Sequence, residues 1–262
     1  MQIDFFEEFP TVENLEKLSL LESPCTVYLA AHSVDEFRQL TAPWREKAPH
    51  ISWSFWPLLP DSYWISPFSF PSELRQLVED LQRPHEEGLE ILLDLELPLR
   101  APRLFWKNAR HFLRNRRHIR GVFEDASRHH IQIATAEYPL FGSFFQGLLN
   151  QLGLAYDAHT QHHTILMFYT SIIPTFLHKL SQRSLLHYCK HTQHPVKVGL
   201  GTIATGIFGN EPILTPSSLR ADLQFLQTHG IHQAVIFRLG GLDDEYMDVI
   251  RSFQTHSAHT KD

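Results

Sequence analysis

Short apolar runs alternate with longer amphipathic stretches along the whole chain. Such alternation predicts βαβ units and a parallel sheet. The runs at 2–9, 26–31, 51–56, 88–96, 131–137, 164–169, 196–203 and 233–237 predict eight strands. Helix signals stand between them. Thr11 caps a stretch that reaches Leu21, and Ser33 opens a helix to about Lys47, with Glu36 at the capping-box spacing. Ser72 opens a helix to Gln82, and another runs from Pro102 to about His118. A further helix follows Pro139 to about Gln151, and Pro174 opens one that ends near Cys189. Pro216 stands at a first helical position behind Thr215, and His229–Gly230 stops that helix. Asp243 begins the last helix, through Phe253.

Eight strand–helix units in strict order, evenly spaced over 262 residues, predict one α/β domain. The expected architecture is a (β/α)8 TIM barrel over residues 1–255, with a frayed tail at 256–262. An open doubly wound sheet is the alternative, and the even spacing favours closure. The stretch after the third strand, PLLPDSYWISPFSFPS, carries prolines and aromatics suited to an ordered lid or binding loop.

In such barrels the site is built at the carboxyl ends of the strands. Those ends place Glu8, His32, Trp56, Asp94, Glu96, Glu137, Tyr169 and Arg238 around one mouth, with Trp64 in the loop above. Side chains alternate along a strand with period two. Asp94 and Glu96 therefore share a face, expected to point inward, while Leu93, Leu95 and Leu97 pack on the helices. Thr135 and Glu137 share a face on the neighbouring strand, which is expected to bring Glu137 beside Glu96. Carboxylates crowded in a walled site repel, so one keeps its proton at neutral pH and acts as a general acid beside a charged partner. Glycoside hydrolysis uses such a pair, and aromatic rings such as Trp56 and Trp64 supply stacking faces for sugars.

Composition narrows the partners. The chain is 43% hydrophobic, enough for a large core, and its net charge of −6 gives no broad basic field for nucleic acid. One basic run at 110–117 fits the solvated end of a helix. Two cysteines, Cys25 and Cys189, without a CxxC pattern suit a reducing compartment. The first residues are acidic where a secretion signal needs basic ones, and no apolar run reaches 18 residues. The expected location is cytoplasmic, with no membrane partner and a carbohydrate or other small molecule as ligand. The 18 histidines fall mostly in loops and helix ends; His159, His162 and His163 come nearest to a metal-ligand spacing, and a polar loop is the plainer reading.

Two segments resemble the chitinase-type glycoside hydrolases. Asp94–Leu95–Glu96 is similar to the Asp-x-Glu that ends their fourth strand, and Met167–Phe168–Tyr169 is similar to the Met-x-Tyr of their sixth. The resemblance implies a (β/α)8 barrel in which Glu96 protonates the glycosidic oxygen. It implies that Asp94 and Tyr169 hold the substrate's N-acetyl group, which acts as nucleophile. The chain departs from that family at Leu89 and Leu92, where earlier acids would stand, and at Phe237–Arg238, where a tryptophan would.

Other chemistry stays open on sequence alone. Gly201, Gly240 and Arg238 lie where barrels often bind phosphate, which would suit a sugar-phosphate isomerase, epimerase or lyase. Glu8, His32, Glu96 and Glu137 would suit Mg2+ or Mn2+ if they converged; otherwise no cofactor is expected. A non-catalytic ligand-binding barrel is the remaining alternative.

Overall fold

A computed structural model describes residues 1–82, 88–96, 103–129, 131–138, 151–152, 162–192, 195–207 and 209–254. Eight strands close into a barrel in the order β1 to β8. They are β1 (Gln2–Glu7), β2 (Cys25–Ala31), β3 (Ile51–Pro57), β4 (Glu90–Asp94), β5 (Gln132–Glu137), β6 (His162–Met167), β7 (Val196–Gly201) and β8 (Gln233–Phe237). Every neighbouring pair is parallel, and β1 meets β8 through Phe5↔Ile236 to seal the ring. Parallel pairing needs a crossover after each strand, which the helical stretches supply.

The outer layer includes α1 (Val12–Glu16), α2 (Val34–Lys47), α3 (Pro71–Leu81), α4 (Arg103–Asn108), α5 (Phe112–Arg128), α6 (His178–His191), α7 (Pro216–Thr228) and α8 (Asp244–Phe253). Their starts follow local chemistry. Thr11, Ser33, Thr215 and Asp243 each accept a backbone N–H from three residues on, the N-cap bond that satisfies an orphan donor of the first turn. Glu36 completes the arrangement on the N–H of His32 at 2.7 Å, one residue earlier than a capping box uses. Gly230 takes φ +73° after α7, as a helix stop requires.

Several expected elements change shape or bounds, three of them for a visible local reason. The stretch from Thr11 to Leu21 is a short α-helix followed by a 3-10 turn at Lys17–Leu20. The helix expected to end near His118 is instead α4, a 3-10 turn at Ala109–His111, and α5, which continues to Arg128. The winding changes where Asn108 turns inward to donate to Phe68 O at 2.8 Å. The helix continues because Ile119, Val122, Phe123 and Ala126 repeat its buried stripe. The fourth strand is shorter than expected, since Gly88 sits at φ +88° before it. The helix expected over 139–151 lies almost wholly outside the described residues, as do Leu97, His159 and the tail from residue 255.

Two apolar layers form. Phe6, Tyr28, Trp56, Leu92, Ala134, Ile165 and Val235 fill the barrel interior. Alternate residues such as Phe5, Val27, Phe55, Ile91, Ile133 and Ile236 join the helices in the outer layer. The interior's amino-terminal end is polar. Lys197 Nζ lies 2.8 Å from both Asp4 Oδ2 and Tyr28 Oη, and Tyr28 Oη is 3.1 Å from His163 Nε2. His163 is thus absorbed into the barrel floor.

The chain leaving β8 packs tightly on the exit of β7. A Cβ on Gly241 would stand 2.5 Å from Ile203 O and 2.8 Å from Ala204 Cβ. Backbone on that side leaves little room to yield. Gly241→Ala is therefore expected to cost about 2 kcal/mol through overpacking, read as a lower urea midpoint with an unchanged slope.

Candidate active site

Strand phase decides which side chains reach the mouth. Phe6 lies inside, so Glu8 continues that face beyond the end of β1. Leu92 lies inside, so Asp94 does too, and Glu96 follows one step above. Trp56 and Tyr169 belong to the same interior layer. The loop after β3 adds Tyr63, whose hydroxyl donates to Glu8 Oε1. Tyr138, just past β5, hydrogen-bonds Glu96.

The β3 loop is held in place by its own bonds. Asp61 N donates to Glu73 Oε1 at 2.6 Å, Ser62 Oγ donates to Glu73 Oε2, and Phe70 N donates to Ser62 Oγ at 2.8 Å. Ile65 N donates to Asp94 O at 3.1 Å, which ties the loop to β4. Trp64 stands edge-on to Tyr63, with ring centres 4.9 Å apart. The aromatics of this loop are therefore an ordered wall.

Electrostatics follow from burial. Asp94 is 6% exposed, and burial pushes its carboxyl well above the usual range, with the charges of Glu96 and Glu8 adding to the rise. The dipole of the neighbouring Trp56 indole works against it. Glu8 is pushed up to about 7 by burial; the Tyr63 hydroxyl and Arg238 hold it down, and Glu211 raises it further. Tyr169 is pushed upward by burial and then by Asp94, Glu96 and Glu8. These groups thus form one electrostatic unit across the mouth.

Gly206 is part of the same wall. A Cβ there would stand 2.9 Å from Glu8 Oε2, 3.1 Å from Glu211 Oε1 and 3.1 Å from Phe237 Cζ. The loop after β7 therefore passes over Glu8 as bare backbone, bringing Glu211 against it.

Glu8 carries a stability consequence. Its native value of about 7 lies above its ordinary 4.5, so the native state holds that proton more tightly than the unfolded chain. The resulting stabilisation is complete below about pH 4.5 and is lost as pH rises through about 7. Glu8→Gln removes this dependence. The variant is expected to be more stable than wild type by about 2–3 kcal/mol at pH 8 and nearly equal at pH 4.5, in paired urea titrations. An equal difference at both pH values would contradict a neutral Glu8.

No family model matches the chain, and no protein of curated function matches it in sequence. Solved structures do match in shape. The C-terminal domain of a putative chitinase from Desulfitobacterium hafniense DCB-2 aligns at TM-score 0.60 and 11% identity, over 97% of each chain. An endocellulase from Pyrococcus horikoshii, solved with cellotetraose, aligns at 0.54 and 10% identity, over 97% of this chain and 92% of that one. A xylose isomerase domain protein from Planctomyces limnophilus aligns at 0.54 and 10%, over 96% and 93%. The chain shares their fold. It is the barrel implied by the resemblance to chitinase-type hydrolases, and it is also the barrel of sugar isomerases.

The structure separates the expected site residues into two groups. Glu8, Trp56, Asp94, Glu96 and Tyr169 come together at the mouth, with Trp64 beside Tyr63 in the wall. Glu137 does not join them. Ala134 and Ala136 hold the inward positions of β5, so Glu137 shares the opposite face with Thr135, whose hydroxyl donates to it at 2.8 Å. That corrects the expectation of Glu137 beside Glu96. His32 is exposed, with Nδ1 3.0 Å from Leu58 O. Glu8, His32, Glu96 and Glu137 therefore do not converge as a metal site would require, and no group of three metal-ligating side chains forms among the described residues.

The residues expected to cradle phosphate are otherwise engaged. Glu7, fully buried on the outward face of β1, accepts from Gly240 N at 2.6 Å, Arg238 Nη1 at 3.1 Å and Phe9 N at 2.8 Å. Arg238 Nε donates to Thr205 O at 3.0 Å. Gly201 serves close strand pairing, since a Cβ would meet Phe237 O at 3.0 Å. Glu211, Gly206 and Tyr138 were not singled out by sequence; only their position after a strand's carboxyl end hints at them.

Proposed function

We propose that this barrel is a glycosidase-like hydrolase acting on a carbohydrate, with Glu96 as the general acid. The observation that carries the reading is the buried Asp94 directly beneath Glu96, within the field of Glu8 and walled by Tyr63, Tyr138, Tyr169 and Trp56. Burial and the neighbouring carboxylates raise Asp94, which favours a proton retained on the Asp94–Glu96 pair. That proton passes from Glu96 to the glycosidic oxygen as the bond from anomeric carbon to oxygen breaks. Water supplies the hydroxyl that completes the sugar, and its remaining proton returns to the Glu96 carboxylate. Tyr138 orients Glu96 through its hydrogen bond, and the aromatic wall offers faces for sugar rings.

The resemblance to chitinase-type enzymes points first to N-acetylated sugars, with Asp94 and Tyr169 at the acetamido group. Supporting this direction, proteins of the same fold include a putative chitinase and a cellotetraose-bound endocellulase. The sugar-phosphate alternative draws no support from Arg238 and Gly240, which Glu7 already occupies. The test is release of nitrophenol from a panel of aryl β-glycosides led by the N-acetylglucosaminide. Turnover of at least one member is expected; complete inactivity of wild type on aryl glycosides and on their oligosaccharides would contradict the proposal.

A further inference from the structure

The basic run set aside as a solvated helix end has an unusual setting. Between residues 103 and 120 the chain carries six arginines and one lysine with no acidic residue, although its overall charge is −6. Arg103, Lys107, Arg110, Arg114, Arg117 and Arg120 are exposed. Among the described residues none of these six forms an ion pair with a carboxylate. Arg110 Nε and Arg114 Nη2 instead crowd one imidazole, at 3.0 Å and 3.3 Å from the two ring nitrogens of His111. Like charges gathered this way repel, and among the described residues no carboxylate pairs with these six to offset them.

Trp106 stands among these cations at 86% exposure, and Leu113 at 66%. A bare indole on the same segment as these cations combines a flat stacking face with charge. The segment is also fixed to the active-site wall. Asn108 donates to Phe68 O, and Asn115 Nδ2 donates to Pro67 O at 3.0 Å and Ser69 O at 2.8 Å. Phe68 packs on Phe105 and Phe112, with ring centres 4.6 Å and 5.4 Å apart. The same loop carries Tyr63 and Trp64.

We infer that this surface binds an anionic polysaccharide, one with carboxylate or sulfate groups on some of its rings, alongside the barrel mouth. The inference rests on the carbohydrate reading of that mouth and names its substrate class. Trp106 stacks on a ring while the arginines take the acidic groups in forked hydrogen bonds. Neutral rings of a sparsely charged polymer lie in the mouth, where the charge left on the Asp94–Glu96 pair and on part-ionised Glu8 disfavours a further anion. A nucleic acid, with a charge at every nucleotide, would set phosphates against that mouth. A bilayer would need an apolar helix face, and the apolar face of α5 is already buried through Ile119, Val122 and Phe123.

Binding and hydrolysis are measured separately on the full chain. Probes are hyaluronan, with a carboxylate on every second ring, and highly methyl-esterified pectin, with neutral dextran, polyuridylate and phosphatidylglycerol vesicles as comparators, followed by calorimetry and tryptophan fluorescence. Wild type is expected to bind at least one anionic glycan and not dextran, with affinity falling at least about tenfold between about 0.05 and 0.5 M salt. A triple variant, Arg110→Gln with Arg114→Gln and Arg117→Gln, is expected to lose most of that binding while keeping its melting temperature. Trp106→Ala is expected to weaken it about tenfold and to remove the fluorescence change. Unchanged binding by the triple variant overturns the proposal, as does tighter binding to polyuridylate or vesicles, or no binding to either glycan. Glycan binding without glycoside turnover leaves this surface standing and removes the hydrolase reading; turnover without glycan binding does the reverse.

Discussion

Glu96→Gln is expected to lower glycoside turnover by about three orders of magnitude at pH 7, with little change in KM. The amide keeps the shape and the hydrogen bond to Tyr138 but has no acidic proton to give. The loss falls on kcat because proton donation matters only as the bond to the leaving oxygen breaks. Asp94→Asn is the informative companion. It keeps the buried volume but removes the proton that Asp94 shares with Glu96, so its effect should overlap with that of Glu96→Gln. The double variant is expected to be about as slow as Glu96→Gln alone, as residues acting as one unit behave. Additive losses would mean that the two carboxylates act independently.

Lys197→Met is expected to cost about 3 kcal/mol in stability while leaving turnover per folded molecule unchanged. Lys197 reaches Asp4, which is fully buried, at 2.8 Å. Truncation would leave that carboxylate uncompensated, although Thr26 N still donates to it at 2.8 Å. The pair lies at the amino-terminal end of the barrel, away from the mouth, so activity should not follow. The variant carrying Asp4→Asn with Lys197→Met is expected to recover much of the loss, since no unpaired charge remains. The measurement is the urea midpoint of both single variants and the double variant. A double variant as weak as Lys197→Met would mean that packing, rather than charge, governs the floor.

Most of the fold was legible because each element carried redundant signals. β8 matches its expected bounds, and α7 begins at Pro216 behind Thr215 and ends before His229. Strand count and order followed from alternation of period and from turn residues. Boundaries drifted where one signal stood alone, as at α5, whose buried stripe outran the expected stop at His118.

The site was legible in part, and the failure at Glu137 has a physical cause. Period two groups Thr135 with Glu137 correctly but does not say which group faces inward. In a barrel both faces are buried, so polarity is a poor guide to phase. The narrow interior takes the small Ala134 and Ala136, while Glu137 satisfies an oxygen on the Thr135 hydroxyl in the outer layer. On β4 the same reasoning succeeded because Leu92 and Asp94 do face inward. Glu211 and Gly206 lie in a loop without periodicity, and only folding brings them over Glu8. Arg238 and Gly240 looked free for phosphate because sequence could not show that Glu7 turns outward to meet them.

The central claim is that Glu96 delivers a proton to the leaving oxygen of a glycoside. Its most direct measurement is the dependence of kcat on the leaving group for wild type and Glu96→Gln, across aryl glycosides from dinitrophenol to unsubstituted phenol. A general acid matters most when the departing oxygen is basic. The account predicts a shallow dependence in wild type and a steep one in Glu96→Gln, with the two nearly equal on the dinitrophenyl substrate. Parallel lines, with Glu96→Gln slower by the same factor on every substrate or not slower at all, would contradict it.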